Sequence, residues 1–322
     1  MFTNATILIT GGTGSWGIEL INQLLLLHNP RKIIVFSRNE NRQVTMRRNF
    51  EDTRLQFNIG DIRDKNALSS ACAGVDYVFH LAALKHVPVC EENPLEAIKT
   101  NIVGTQNVIE ASIMNQVKKV IYVSTDKAAD PANTYGMTKA LGEKLILCAN
   151  ELGSPTRFLC IRGGNVLGSS GSVLPIFIRQ LEEENQIRIT DKKMTRYFVT
   201  PQQAIKTLLQ ATELGNGGEI FVMYMNACSI LDLAEVLIEY YHKKDVHILE
   251  IGARVGEKTH EVLIAENEIP MATVFNKDLI KITSSISTNK DSCVPANLID
   301  TKQKLMTKQE IKELLVEGGF LK

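Results

Sequence analysis

A glycine-rich turn between an apolar strand and an amphipathic helix is the feature that most constrains how this chain folds. Residues 5–10 are apolar and β-branched, Gly11, Gly14 and Gly17 follow them, and residues 18–27 have a helical pattern. Glycines let the backbone approach a pyrophosphate, whose charge is stabilised at a helix N-terminus. The sequence therefore predicts an α/β fold with a Rossmann-type, doubly wound parallel sheet and a dinucleotide site at this turn.

Residues that follow the first four predicted strands are expected to line the dinucleotide site. Asp61 is expected to accept a hydrogen bond from an adenine amino group, and the small side chains of Ala82 and Ala83 let the chain pass close beneath a cofactor. The predicted cofactor-binding residues are Gly11, Thr13, Gly14, Ser15, Trp16, Gly17, Ser37, Arg38, Arg42, Asp61, Ile62, Leu81, Ala82, Ala83, Tyr135, Lys139 and Val166.

The end of the second predicted strand favours NADP over NAD. Residues 32–36 lead into Ser37 and Arg38, with Arg42 close behind, where many dinucleotide sites have an acidic residue for a free ribose. A carboxylate there would repel a 2′-phosphate, whereas a hydroxyl and guanidinium groups bind it. The competing interpretation is that Arg38 and Arg42 are solvated surface charges.

The segment from residue 124 to residue 139 carries the candidate catalytic groups. Thr125, Asp126 and Lys127 follow a predicted strand, so their side chains are expected at the carboxyl edge of the sheet, where open α/β sheets bind ligands. A helix is predicted to begin at Tyr135, which places Lys139 one turn further on the same face. The ammonium of Lys139 is expected to lower the pKa of the Tyr135 phenol and make it a usable base.

Composition excludes several classes of protein. The 322 residues include 36 basic and 36 acidic side chains, so no net field favours nucleic acid or an anionic membrane. The six cysteines form no Cys-x-x-Cys pair, which argues against zinc and against a disulfide framework, and no metal site is predicted. Without a leader pattern or an apolar run of membrane length, the expectation is a soluble cytoplasmic protein.

The strand and helix alternation becomes less regular in the second half. We predict that residues 1–162 are mainly an NADP-binding Rossmann domain and that residues 163–322 are mainly a smaller C-terminal substrate-binding lobe, interleaved with late Rossmann elements. Helices are expected near residues 175–184, 201–214, 230–242 and 308–317, and a strand or mobile segment near 284–288.

Several motifs together resemble the extended short-chain dehydrogenase/reductase superfamily. They are the glycine turn, HLAALKHVPVCEENP at 80–94, STDKA at 124–128, Tyr135-x-x-x-Lys139, RGGNVLG at 162–168 and GEKTHE at 256–261. More narrowly, the chain is similar to the inverting UDP-N-acetylglucosamine 4,6-dehydratases of pseudaminic acid synthesis, over roughly residues 1–265.

That resemblance implies a reaction and a role for each matching residue. Tyr135, with Lys139, takes the proton of the sugar 4-hydroxyl while hydride leaves C4. Lys127, as a neutral amine, removes the C5 proton, Asp126 protonates the departing 6-hydroxyl, and Thr125 hydrogen-bonds the 4-oxygen. Tyr135 stands where retaining relatives have methionine, which implies inversion at C5.

The residues expected to bind a UDP-N-acetylhexosamine are Lys85, Asn165, Ser172, Val173, Arg196, Arg254 and Glu257. The family also implies a homo-oligomer.

Two departures from the family pattern keep alternatives open. Gly163 stands where the motif usually has tyrosine, and Ser170 where it usually has arginine, which allows a different substrate or a partial reaction. A UDP-sugar 4-epimerase or 4-ketoreductase would use Tyr135 and Lys139 but need no base at Lys127. A noncatalytic nucleotide-sensing subunit is the alternative outside enzymes.

Overall fold

The computed structural model describes residues 1–169, 171–283, 294, 299–302 and 304–322. Ser170, one of the two departures from the family pattern, and residues 284–288, where a strand or mobile segment was predicted, lie outside these residues. The strands are β1 (Thr6–Thr10), β2 (Lys32–Ser37), β3 (Leu55–Ile59), β4 (Tyr77–His80), β5 (Lys119–Thr125), β6 (Arg157–Gly163), β7 (Asn165–Val166), β8 (Gln186–Ile189), β9 (Thr195–Val199), β10 (Ile220–Met223), β11 (Asn226–Ser229), β12 (His247–Glu250), β13 (Ala272–Val274) and β14 (Leu279–Ile282).

The helices alternate with these strands through most of the chain. Those predicted at residues 201–214 and 308–317 are confirmed, and the two others begin or end within about two residues of their predicted bounds. The helices are α1 (Ser15–Leu27), α2 (Glu40–Phe50), α3 (Lys65–Ala71), α4 (Val87–Glu92), α5 (Pro94–Ile98), α6 (Gly104–Met114), α7 (Thr134–Cys148), α8 (Val173–Glu183), α9 (Pro201–Leu214), α10 (Ile230–Tyr240) and α11 (Lys308–Glu317).

The main sheet confirms the predicted Rossmann-type α/β fold. Its strand order is β3-β2-β1-β4-β5-β6-β10-β14-β13, parallel except where β14 pairs with β10 and β13. The order reverses between β1 and β4, and the crevice at such a reversal is where open α/β sheets bind ligands. Strand β1 is buried along its whole length, as expected for a strand covered on both faces.

The glycine turn brings β1, α1 and β4 into close contact at this crevice. Gly11 has a positive φ of 69°, and a Cβ there would lie 2.8 Å from the backbone nitrogen of Ala82. A Cβ on Gly17 would lie 2.3 Å from the carbonyl oxygen of Gly12. Any larger residue at Gly11 or Gly17 would therefore push α1 or the chain after β4 out of place.

Two apolar clusters support the rest of the chain. One lies on both faces of the main sheet. The second joins α8, α10 and α11 to the two small sheets, β11-β9-β7 and β12-β8. Because β10, β13 and β14 return to the main sheet, the second half of the chain contributes to both regions.

The helical stretch between β4 and β5 contains one π turn. This turn, Lys99–Val103, lies between α5 and α6. The Asn101 side chain accepts a hydrogen bond from the Leu84 amide nitrogen and donates to the Leu84 carbonyl and to Thr138 Oγ1, so it ties this helix to α7 and to the loop after β4. In the described parts of the chain, no helix has both the length and the apolar character needed to cross a bilayer.

A buried ion cluster joins α7 to the segment before β13. Arg162, fully buried on β6, donates to both carboxylate oxygens of Glu143, at 3.0 and 2.6 Å, and to both of Glu268, at 2.7 and 2.9 Å. It also donates to the Leu263 carbonyl at 2.9 Å. We call Arg162, Glu143 and Glu268 the arginine cluster.

Candidate active site

The turn after β5 places the candidate catalytic groups beside the first turn of α7. Asp126–Ala128 form a single 3-10 turn, and the Asn133 side chain caps α7 by accepting from the Gly136 amide. A Cβ on Gly136 would lie 2.3 Å from the Lys127 carbonyl oxygen, so glycine at this position lets α7 dock directly on the turn. Tyr135 is therefore held against Thr125 and Lys127.

A second buried ion cluster lies at this turn. Thr125 Oγ1 and Lys127 Nζ each donate to Asp126 Oδ1 at 2.9 Å. Lys127 Nζ also lies 3.4 Å from Glu261 Oε1. Asp126 and Glu261 are 1% and 3% exposed, yet Asp126 Oδ2 and Glu261 Oε2 have no hydrogen-bond partner among the described residues. We call Asp126, Lys127 and Glu261 the lysine cluster.

Glu261 is a residue that the sequence analysis did not single out. It ends the GEKTHE motif, from which only Glu257 was selected, so its acidic side chain in a family motif was the available signal. Because Glu261 lies far from Lys127 along the chain, their ion pair could not be predicted from the sequence.

The lysine cluster alters the expected protonation of Lys127. Burial alone lowers the pKa of Lys127, but the carboxylates of Asp126 and Glu261 outweigh burial and raise that pKa above its ordinary value. The expected neutral amine is therefore not the resting form. Burial also raises the pKa of Glu261, although Lys127 acts in the opposite direction.

The cation that acts on the pKa of Tyr135 is Lys127, whereas Lys139 was expected from the sequence. Burial raises the pKa of Tyr135 to about 12, while Lys127 and a hydrogen bond with Thr125 act to lower it. The expected effect of Lys139 on the phenol pKa stays a prediction: in this structure its Nζ donates to the Val123 carbonyl at 2.6 Å and lies 3.7 Å from the centre of the Tyr122 ring. Burial lowers the pKa of Lys139 to about 7.

A cavity of about 560 Å³ extends from the glycine turn to Tyr135, a size usual for ligand sites. Every residue predicted to bind the cofactor lines it. So do several predicted catalytic and substrate-binding residues, namely Thr125, Lys127, Tyr135, Lys139, Lys85, Asn165 and Ser172.

The remaining predicted residues do not line this cavity. Asp126 is buried between the cavity-lining residues Thr125 and Lys127 in the chain, and Val173 begins α8. Arg196, buried on β9, donates to the carbonyls of Lys258 and Thr259 and lies 4.0 Å from Glu261. Arg254 is exposed, and its backbone nitrogen donates to Glu257. Arg196 therefore organises the loop that carries Glu261.

Gly163, where the family motif has tyrosine, ends β6 in a crowded position. A Cβ at Gly163 would lie 3.0 Å from Met223 Sδ. A larger side chain there therefore requires Met223 to move.

Polar groups surround the end of the cavity beside the C-terminus of β2. Arg38 lies 3.9 Å from Asp61, which also pairs with Arg63 at 2.6 Å. Ser37 Oγ accepts a hydrogen bond from Gln43 at 3.0 Å. The Arg38 side chain is 55% exposed, so its guanidinium is accessible to an anion.

A doubly wound sheet, a G-x-x-G-x-x-G turn at its reversal point and a Tyr-x-x-x-Lys helix beside it define an extended short-chain dehydrogenase/reductase. The chain belongs to the polysaccharide biosynthesis protein family, whose model matches residues 7–283. The resemblance inferred from the motifs is thereby confirmed.

Similar proteins carry more than one name. A Campylobacter jejuni protein named UDP-N-acetylglucosamine 4,6-dehydratase (inverting) is 42% identical over 306 residues, 94% of this chain and 90% of its own. A Rickettsia rickettsii protein named UDP-glucose 4-epimerase is 39% identical over 335 residues, 100% of this chain and 98% of its own. The X-ray structure of Pen from Bacillus thuringiensis is 39% identical with a TM-score of 0.93 and full coverage of both chains.

Proposed function

We propose that this protein is an NADP-dependent UDP-N-acetylglucosamine 4,6-dehydratase that inverts C5. The observation that carries the proposal is the lysine cluster, whose Lys127 lines the same cavity as Tyr135. Redox exchange at C4 needs Tyr135 and Lys139, whereas loss of water needs a further acid and base. The name of the Campylobacter relative supports this reading.

The cavity residues fit a nicotinamide dinucleotide. The glycine turn at the α1 N-terminus suits the pyrophosphate, and Arg38 with Ser37 suits a 2′-phosphate. The glycine turn, Ser37 and Arg38 would hold the dinucleotide, and a bound nicotinamide would supply the reversible hydride transfer that the reaction needs.

Side chains of the protein carry out the proton transfers of the reaction. Tyr135 takes the proton of the 4-hydroxyl, and the carbonyl that results at C4 acidifies the C5 proton. Lys127 removes that proton, and Asp126 is the source of the proton that leaves with the 6-hydroxyl. Asp126 and Lys127 share a 2.9 Å contact, so a proton held by Asp126 can pass directly to Lys127.

A single incubation tests the proposal. The protein is mixed with UDP-N-acetylglucosamine and catalytic NADP in heavy water, without added reductant. We expect a product lighter by one water, with deuterium and inverted configuration at C5 in proton spectra. Unchanged substrate composition with C4 inverted would identify a 4-epimerase, the second candidate, which the name of the Rickettsia relative favours. Consumption of added NADPH would identify a ketoreductase.

We also propose that the protein is a homo-oligomer through α5 and α7. Leu95, Ile98, Met137 and Leu141 on these helices are 69%, 41%, 56% and 46% exposed, and covering them removes apolar surface from water. Light scattering of Leu141→Glu beside the wild type tests this, since a monomeric wild type would refute it.

A further inference from the structure

A chain of hydrogen bonds and one ion pair connects the cavity to Glu261. The Tyr135 phenol hydrogen-bonds Thr125, and Thr125 Oγ1 donates to Asp126 Oδ1 at 2.9 Å. A threonine hydroxyl has one hydrogen, so Tyr135 is the donor in its bond to Thr125. Lys127 Nζ then bridges Asp126 Oδ1, at 2.9 Å, and Glu261 Oε1, at 3.4 Å.

In the proposed dehydration, on which this inference rests, the substrate gives protons to the hydrogen-bonded groups between Tyr135 and Glu261. The pKa of Tyr135 is raised to about 12, so Tyr135 meets the substrate as a phenol that already holds its proton. When the 4-hydroxyl gives Tyr135 a proton, Tyr135 must pass its own to Thr125, and Thr125 must pass its own to Asp126. Asp126 is then a neutral carboxyl while Lys127 is still an ammonium. An ammonium cannot take the C5 proton, so Lys127 needs another acceptor.

Glu261 is placed to be that acceptor. It is 3% exposed, its Oε1 faces the ammonium, and its Oε2 has no hydrogen-bond partner among the described residues. Its backbone nitrogen donates to Thr301 Oγ1, which holds the residue in position. The titratable groups that face it are Asp126 and Lys127 after β5, Arg196 and Tyr197 on β9, and Lys258 of its own segment.

We propose that Glu261 is a proton-holding residue, which takes the ammonium proton of Lys127 once Asp126 has accepted the proton that originates at the 4-hydroxyl. Glu261 acts through Lys127 and does not touch the substrate, so it is a positioning residue for the base.

The protons then balance over one turnover. An N–H bond of Lys127 breaks and an O–H bond forms on Glu261, and the free amine takes the C5 proton. Lys127 gives a proton to the 6-oxygen, which leaves as water, and Asp126 reprotonates Lys127. Inversion requires that C5 be reprotonated from the face opposite Lys127, so that proton comes from solvent. Glu261 gives its own proton back to solvent through Lys127. Asp126 and Glu261 end as carboxylates and Lys127 as an ammonium, as they began.

Glu261→Gln tests the proposal, because glutamine keeps the shape of the side chain but cannot hold the proton. We expect C4 oxidation, followed as enzyme-bound reduced nicotinamide, to stay within about threefold of wild type. Water loss at neutral pH is expected to fall about a hundredfold, in the range of lost acid–base catalysis. Water loss by the variant should then rise about tenfold per pH unit, because Lys127 must release its proton to solvent, whereas the wild-type profile stays flat.

Two further variants make the test specific. Glu261→Asp keeps a carboxylate and is expected to retain a flat pH profile at a reduced rate. Glu266→Gln, an exposed neighbour on the same segment, should behave as wild type. Water loss by Glu261→Gln at the wild-type rate, or equal loss of oxidation and elimination at every pH, would overturn the inference. A wild type that removes no water would instead sink the proposed function.

Discussion

The arginine cluster and the lysine cluster each place two carboxylates around one cation. They differ in how many of the carboxylate oxygens have a hydrogen-bond partner. In the arginine cluster, all four carboxylate oxygens of Glu143 and Glu268 accept from Arg162. In the lysine cluster, Asp126 and Glu261 share one ammonium, and each has an oxygen without a partner among the described residues. An arginine cannot act as a base near neutral pH, whereas a lysine can. A closed network around arginine stabilises a fold, and an open one around lysine is suited to moving protons.

Removing the cation of the arginine cluster should have the largest effect on stability. Arg162→Met leaves the buried carboxylate of Glu143 unpaired and removes the ion pair of the half-buried Glu268, so we expect the free energy of unfolding to fall by about 3–5 kcal/mol. Urea denaturation measures it. Arg188→Ala, which breaks an exposed pair with Glu184, is the control and should cost about 0–1 kcal/mol. An equal loss in both variants would contradict the structural role of Arg162.

Removing the cation of the lysine cluster should separate the two halves of the reaction. Lys127→Ala is expected to leave C4 oxidation measurable, because Tyr135 and Lys139 remain, and to lower water loss about a thousandfold. Rapid mixing with UDP-N-acetylglucosamine follows bound reduced nicotinamide, and product mass follows dehydration. Full dehydration by this variant would refute the role of Lys127.

The stability of the protein should depend on pH through Glu261 of the lysine cluster. The pKa of Glu261 is raised in the folded protein, so its contribution to stability is complete below the unfolded pKa and is lost as pH rises through the folded pKa. Stability of Glu261→Gln relative to wild type should therefore improve from about pH 4 toward pH 8, by about 1.4 kcal/mol for each unit of pKa shift. Denaturation at several pH values checks this, and a constant difference would exclude a raised pKa.

An exposed charge should have the smallest effect. Arg38→Ala is expected to weaken NADP binding about fivefold to tenfold and leave NAD binding unchanged, because only the 2′-phosphate needs the guanidinium. Calorimetric titration with both dinucleotides measures the change. Equal weakening of both would show that Arg38 does not read the phosphate.

The local structure of the site could be predicted from the sequence, but the contacts between residues far apart in the chain could not. The glycine turn, β5 and the start of α7 are each encoded within a few consecutive residues, so the fold was predictable. Glu261 reaches Lys127 only through the packing of distant segments. The effective partner of Tyr135 depends on where two lysine side chains point, which the Tyr-x-x-x-Lys spacing does not specify. The burial of Asp126, while its neighbours Thr125 and Lys127 line the cavity, likewise depends on a single 3-10 turn.

The arginine cluster also limits how this chain can be recombined with its relatives. Glu143, Arg162 and Glu268 come from three separated stretches, yet each carboxylate is matched to one guanidinium at hydrogen-bond distance. A chimera whose crossover falls between residues 162 and 268 inherits the cation from one parent and a carboxylate from the other. Only parents that agree at all three positions should give folded hybrids, so this trio marks a boundary for gene shuffling.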